Sequence, residues 1–211
     1  WCNIMAIDKL RMETLDLFPS PVFSVQDFYD NKQLLSTIED DLKTVIKDSG
    51  KNFHQSYPDL HKRDEFKEFA DRILMSSKQI LSQKFGFKYD NAIISGMWYN
   101  VQEAGNKHDL HTHSNNLLSG VYYVESDKSG GIIFQDPRQQ VDVIKPLLEK
   151  NSPYNSTKCV LQSNEKCALF FPSWLKHQTQ ETKSRRISIS WNIMITGYIS
   201  NAELLQQSYY D

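Results

Sequence analysis

Beyond about residue 90 the chain changes from helical to strand periodicity, and that change constrains its fold more than any other feature. Residues 92–101, 118–124, 131–135, 168–171 and 187–195 are short runs rich in β-branched and aromatic side chains. Turn-forming stretches at 103–106, 127–130 and 181–184 separate several of them. Many short strands at this spacing predict a sandwich or barrel. Two helices precede them. Leu34, Leu35, Ile38, Leu42, Val45 and Ile46 recur at helical spacing until Gly50. Phe66, Phe69, Ala70, Ile73, Leu74, Ile80 and Leu81 mark a second stripe, with Asp64 as its expected N-cap and Gly86 near its end. Apolar stripes of this kind pack on a sheet, so the expected fold is mainly β with N-terminal helices buttressing one face.

Two stretches fall outside this pattern. Residues 17–23 contain Pro19 and Pro21, which restrict them to an edge strand. Residues 137–166 carry Pro137, Pro146 and Pro153 among many polar residues. They read as an insertion with a helical turn over 143–150, serving either as a lid or as a surface excursion. A length of 211 residues suits one domain. Its expected parts are an N-terminal extended segment with supporting helices (1–90) and a β core (91–200) interrupted by that insertion.

Composition argues against several function classes. The chain sets 24 Lys and Arg against 26 Asp and Glu, a net charge of −2, so it has no strong field to gather nucleic acid or an anionic membrane. No apolar stretch approaches membrane-spanning length. Cys2, Cys159 and Cys167 form an odd, sparse set without a CxxC, which predicts free thiols and a reducing, cytoplasmic setting.

The histidines carry the chemistry. His108, His111 and His113 crowd into one short segment, and His177 stands alone further on. In extended chain, residues two apart point to the same side, so His111 and His113 can present two imidazoles to one metal ion. His177 follows a strand-like run that can return to the same mouth of a barrel. Three ligands on one face of an octahedron leave positions for substrate and oxygen, as in non-haem iron oxygenases. His54 and His61 lie in a polar stretch and read as ordinary.

Five strings accompany these histidines: Met97-Trp98-Tyr99-Asn100-Val101; Leu118-Ser119-Gly120-Val121-Tyr122-Tyr123-Val124; Gly130-Gly131-Ile132-Ile133-Phe134-Gln135-Asp136-Pro137; Phe170-Phe171-Pro172-Ser173-Trp174-Leu175-Lys176-His177; and Arg185-Arg186-Ile187-Ser188-Ile189-Ser190-Trp191-Asn192. Together they resemble a family of 2-oxoglutarate- and iron(II)-dependent oxygenases and, more distantly, the prolyl hydroxylases. The resemblance runs from about residue 95 to 195. It implies a double-stranded β-helix, or jelly roll, with Fe(II) as cofactor and 2-oxoglutarate as cosubstrate. It further implies that His111, His113 and His177 are metal ligands and catalytic, and that Arg186 grips the distal carboxylate of 2-oxoglutarate. Ser188 and Ser190 share the Arg186 face under strict alternation, and Tyr123 matches a tyrosine that contacts the cosubstrate. His113 departs from the family pattern, standing where most members have a carboxylate; His108 and Asp109 are substitute ligands ranked below it.

The expected substrate is a small molecule or a protein side chain. Exposed strand edges are consistent with a homodimer. Two other readings stand beside this one: a three-histidine cupin-type metal protein that does not use 2-oxoglutarate, and a jelly-roll binding module whose histidines are incidental.

Overall fold

The computed structural model describes residues 16–44, 53–138, 143–199 and 208–210. Strand β1 (Phe23–Val25) precedes helix α1 (Asn31–Thr44) and strand β2 (Phe53–Gln55). Two short 3-10 turns, Leu60–Lys62 and Asp64–Phe66, lead into helix α2 (Lys67–Gln79), which widens into a π turn at Ile80–Lys84. The strands then follow in series: β3 (Asn91–Gln102), β4 (Leu118–Glu125), β5 (Lys128–Gln135), β6 (Lys158–Ser163), β7 (Ala168–Pro172), β8 (His177–Thr179), β9 (Arg186–Ile199) and β10 (Ser208–Tyr210).

These strands form two antiparallel sheets. The larger runs β1-β7-β4-β9-β3-β2, with β10 paired to β9; the smaller runs β6-β5-β8. The chain crosses between sheets after β4, β6, β7 and β8, which is the winding of a double-stranded β-helix. Alternation then sorts the side chains. On β9, Ile187, Ile189, Trp191, Ile193 and Ile195 are buried against α1 and α2, together with Leu34, Ile38, Phe69 and Ile73 of the helices. Each such side chain contributes roughly 1.5–3 kcal/mol by leaving water. A second, smaller core of Val121, Tyr123, Ile132, Phe134, Leu169, Phe171 and Leu175 fills the space between the sheets.

The five expected strands and both helices form, and the helices pack on the larger sheet as their stripes predict. Boundaries differ for local reasons. The edge strand begins at Phe23, just past the two prolines, because β1 pairs β7 only where each residue has an amide to donate. Asp64 is not the cap of α2; it opens the preceding 3-10 turn, and Phe66 stands at the helix start without a side-chain cap. Val45, Ile46 and Gly50 lie outside the described residues, as does Cys2. Within 137–166, residues 158–163 are strand β6 of the smaller sheet, and residues 143–150 form no helical turn. Strands β2, β6 and β8 were not legible because each is short and mixed in polarity. Cys159 and Cys167 are free thiols. Among the described residues, no helix is long and apolar enough to cross a membrane.

Candidate functional site

On β9 the inner face is polar (Arg186, Ser188 and Ser190) where its outer face is apolar. Strand pairing places Trp98, Asn100 and Gln102 of β3 opposite Ser190, Ser188 and Arg186 of β9, and Val121 and Tyr123 of β4 opposite Ser190 and Ser188. Cross-strand partners share a face, so these side chains converge on the space between the sheets. There all of them except Gln102 line a cavity of about 200 Å³, together with His108, His111, His113, His177, Thr179, Phe171 and Gln55.

Three imidazoles stand at one end of this cavity. One nitrogen from each of His111, His113 and His177 lies within 4.8 Å of the others. Backbone pairing sets their positions. His111 and His177 form an antiparallel bridge, with N–H···O distances of 2.9 and 3.0 Å, so the histidine loop runs beside β8. The His113 amide is anchored on the Ser173 carbonyl at 3.0 Å, and β8 holds His177 against Phe134 of β5. The ring orientations are fixed as well. His111 Nδ1 donates to the Asp109 carbonyl at 2.6 Å, and His177 Nδ1 to the Leu175 carbonyl at 2.9 Å. A carbonyl can only accept, so Nδ1 carries the proton and Nε2 keeps its lone pair for a metal.

Electrostatics favour the same state. Burial and the neighbouring histidines pull His113 down to about 3. Burial is also the main cause that takes His177 down to about 4. His108 is lowered to about 4 by burial, then by Arg186 and His111. These rings are neutral near pH 7, the form in which imidazole binds metal.

At the other end lies Arg186, 2% exposed. No carboxylate among the described residues pairs with it, and no Asp or Glu lines the cavity. Its guanidinium stacks over the Tyr123 ring at 5.0 Å and donates to Gln102 Oε1 at 2.5 Å. Burial lowers its pKa. Arg186 Nε and the Tyr123 hydroxyl have no hydrogen-bond partner. A buried cation surrounded by unpaired donors is costly unless an anion completes it. Its neighbour Arg185 points the opposite way and is fully matched, reaching Glu125 at 2.7 Å and Glu39 at 2.5 Å.

All seven residues singled out in the sequence (His111, His113, His177, Tyr123, Arg186, Ser188 and Ser190) border this one cavity. His108 lines it too but stands outside the three-nitrogen cluster, and Asp109 contributes its backbone carbonyl. Sequence reasoning missed Asn100 and Gln102. Their signal was present: two polar residues at i and i+2 in a strand whose other face, Met97, Tyr99 and Val101, is apolar.

Residues 96–192 match the model of the family described as "Putative 2OG-Fe(II) oxygenase". This stretch is similar to the 2OG-Fe(II) oxygenases. Solved structures share the oxygenase fold at low identity. A prolyl-4-hydroxylase of Pseudomonas putida aligns with a TM-score of 0.58 at 9% identity, covering 84% of this chain and 94% of its own. HygX of Streptomyces hygroscopicus, with nickel, 2-oxoglutarate and hygromycin B bound, aligns at 0.59 and 14% identity, covering 91% and 92%. The viral collagen prolyl hydroxylase of Paramecium Bursaria Chlorella virus-1, in its 2OG complex, aligns at 0.54 and 13%, covering 82% and 94%. The comparison with curated proteins gave no match.

The residues present fit the cofactor and cosubstrate of this family. Three imidazoles whose nitrogens cluster within 4.8 Å suit a divalent metal, and the orphaned donors around Arg186 suit a carboxylate.

Proposed function

We propose that this chain is a 2-oxoglutarate- and iron(II)-dependent dioxygenase that hydroxylates a small molecule or a protein side chain. His111, His113 and His177 hold the iron. Arg186, with Ser188, Ser190 and Tyr123, holds the far carboxylate of 2-oxoglutarate. The described residues form a single domain around this site. The observation that carries the reading is the pairing of a three-imidazole cluster with a buried arginine that has no counterion among the described residues, at opposite ends of one cavity. Such a cavity is complementary to a molecule with a metal-binding keto acid at one end and a carboxylate at the other.

Bound iron supplies the activation of dioxygen, coupled to oxidative decarboxylation of 2-oxoglutarate to succinate and carbon dioxide. The chain does the rest. The Asp109 and Leu175 carbonyls hold two imidazoles in the ligating tautomer. Arg186 supplies positive charge in a dry setting, where a bidentate grip on carboxylate is strong. Ile132, Val121 and Phe171 exclude water from the walls. Solved structures of the same fold include a prolyl-4-hydroxylase and a protein with hygromycin B bound, and the substrate class proposed here, a protein side chain or a small molecule, spans both kinds.

The test is spectroscopic. Protein loaded with iron(II) without oxygen is titrated with 2-oxoglutarate, watching for a visible metal-to-ligand charge-transfer band. A band at one iron per chain, absent in Arg186→Ala with iron retained, is expected. A band of unchanged strength and midpoint in Arg186→Ala would remove the cosubstrate assignment. Tight iron without any band would assign a three-histidine metal site that does not use 2-oxoglutarate.

A further inference from the structure

Gln102 is the residue directly opposite Arg186 across the β3–β9 pair, and it is 1% exposed. It does not border the cavity; it stands behind the guanidinium. Its Oε1 accepts from Arg186 Nη1 at 2.5 Å, while its Nε2 has no partner. The orientation of the amide is forced. Arginine only donates, so the amide oxygen must face it, and the amide nitrogen is left unpaired as a consequence. The other groups facing Arg186 are neutral as well. Burial keeps the Tyr123 hydroxyl protonated, and no Asp or Glu lines the cavity.

A buried guanidinium is ordinarily satisfied by a carboxylate. Glutamate differs from glutamine by one atom type and would fill the same space. It would neutralise Arg186 from within the protein. With glutamine in its place, the fork is fixed in direction while its charge stays uncompensated.

We propose that Gln102 is a positioning residue for the cosubstrate: it aims Arg186 into the cavity through a neutral acceptor, so that the ligand's far carboxylate becomes the missing counterion. This rests on the 2-oxoglutarate reading above and extends it to a residue outside the binding surface. The consequence is an opposition between stability and binding. An acid at 102 supplies the counterion permanently. It stabilises the unliganded protein and competes with the ligand's carboxylate.

The experiment compares wild type, Gln102→Glu and Gln102→Leu, each loaded with nickel(II) so that no turnover intervenes. Calorimetric titration gives the affinity for 2-oxoglutarate and for 2-oxopentanoate, which has the same carbon chain without the far carboxylate. Thermal denaturation of each metal-loaded, ligand-free protein gives its midpoint. Gln102→Glu is expected to melt at the wild-type temperature or higher while binding 2-oxoglutarate about ten- to a hundredfold more weakly, the range of a charge-assisted hydrogen bond. Its affinity for 2-oxopentanoate should remain at the wild-type value. Gln102→Leu, which leaves the fork unaimed, should lose both melting temperature and 2-oxoglutarate affinity. Wild-type affinity for 2-oxoglutarate in Gln102→Glu, or equal weakening for both keto acids, would overturn the proposal. Wild-type protein that binds the two keto acids equally would overturn the cosubstrate reading itself, which separates the two failures.

Discussion

The two adjacent arginines illustrate how strand geometry assigns different tasks to identical residues. Arg185 and Arg186 are neighbours in sequence, yet alternation on β9 sends one to acids on the surface and the other into the cavity. Arg185 is about a third exposed, so its ion pairs are partly screened. Arg185→Ala should lower unfolding stability by roughly 1 kcal/mol or less, measured in denaturant, with 2-oxoglutarate affinity unchanged. His177 behaves differently. It is buried, and its ring is fixed by Leu175 and flanked by Phe171 and Phe134. His177→Ala should empty the site of metal, checked by elemental analysis after desalting; retention of one iron per chain would exclude His177 as a ligand.

At the scale of the element, the close approach of β4 to β9 depends on a missing side chain. A Cβ on Gly120 would lie 2.3 Å from the Trp191 ring and 2.6 Å from the Leu169 carbonyl. Trp191 is fully buried among Phe69, Phe170 and the other outer-face side chains, so it has little room to yield. Gly120→Ala should therefore destabilise the protein by about 2 kcal/mol or more, the usual cost of overpacking a filled core. Thermal melts of the metal-free protein would show this. An unchanged midpoint would mean that the indole can relocate. Helix α1 is joined to the same strand at its start, where Asn31 donates to the Val124 carbonyl at 2.7 Å and accepts from the Tyr122 hydroxyl. These contacts couple the helical layer to the sheet that carries Tyr123.

For the whole molecule, metal and fold are linked. The three imidazoles come from the loop after β3 and from β8, segments that meet only in the folded chain. A metal that binds this arrangement and not the unfolded chain adds about 2.7 kcal/mol when its free concentration is a hundred times its dissociation constant. Chelation should therefore lower the melting temperature of wild type by several degrees and leave that of His177→Ala unmoved. An equal response in both would place the stabilising metal elsewhere.

The histidine spacing, the alternation on β9 and the apolar stripes of α1 and α2 were legible because each is a local pattern with a fixed period. The sequence thus determined which face of each element meets water, core or cavity, and it marked His111, His113, His177, Arg186, Ser188 and Ser190 as one constellation. It did not show β2, β6 or β8, since strands of three to six residues with mixed polarity are selected by their partners across the sheet. Nor did it show Gln102, whose meaning depends on register: only the β3–β9 pairing puts that amide opposite Arg186. Tertiary structure alone decided that a neutral amide, and no acid among the described residues, faces this arginine, because partners are chosen by proximity in space, and proximity between residues 84 positions apart is a property of the folded chain.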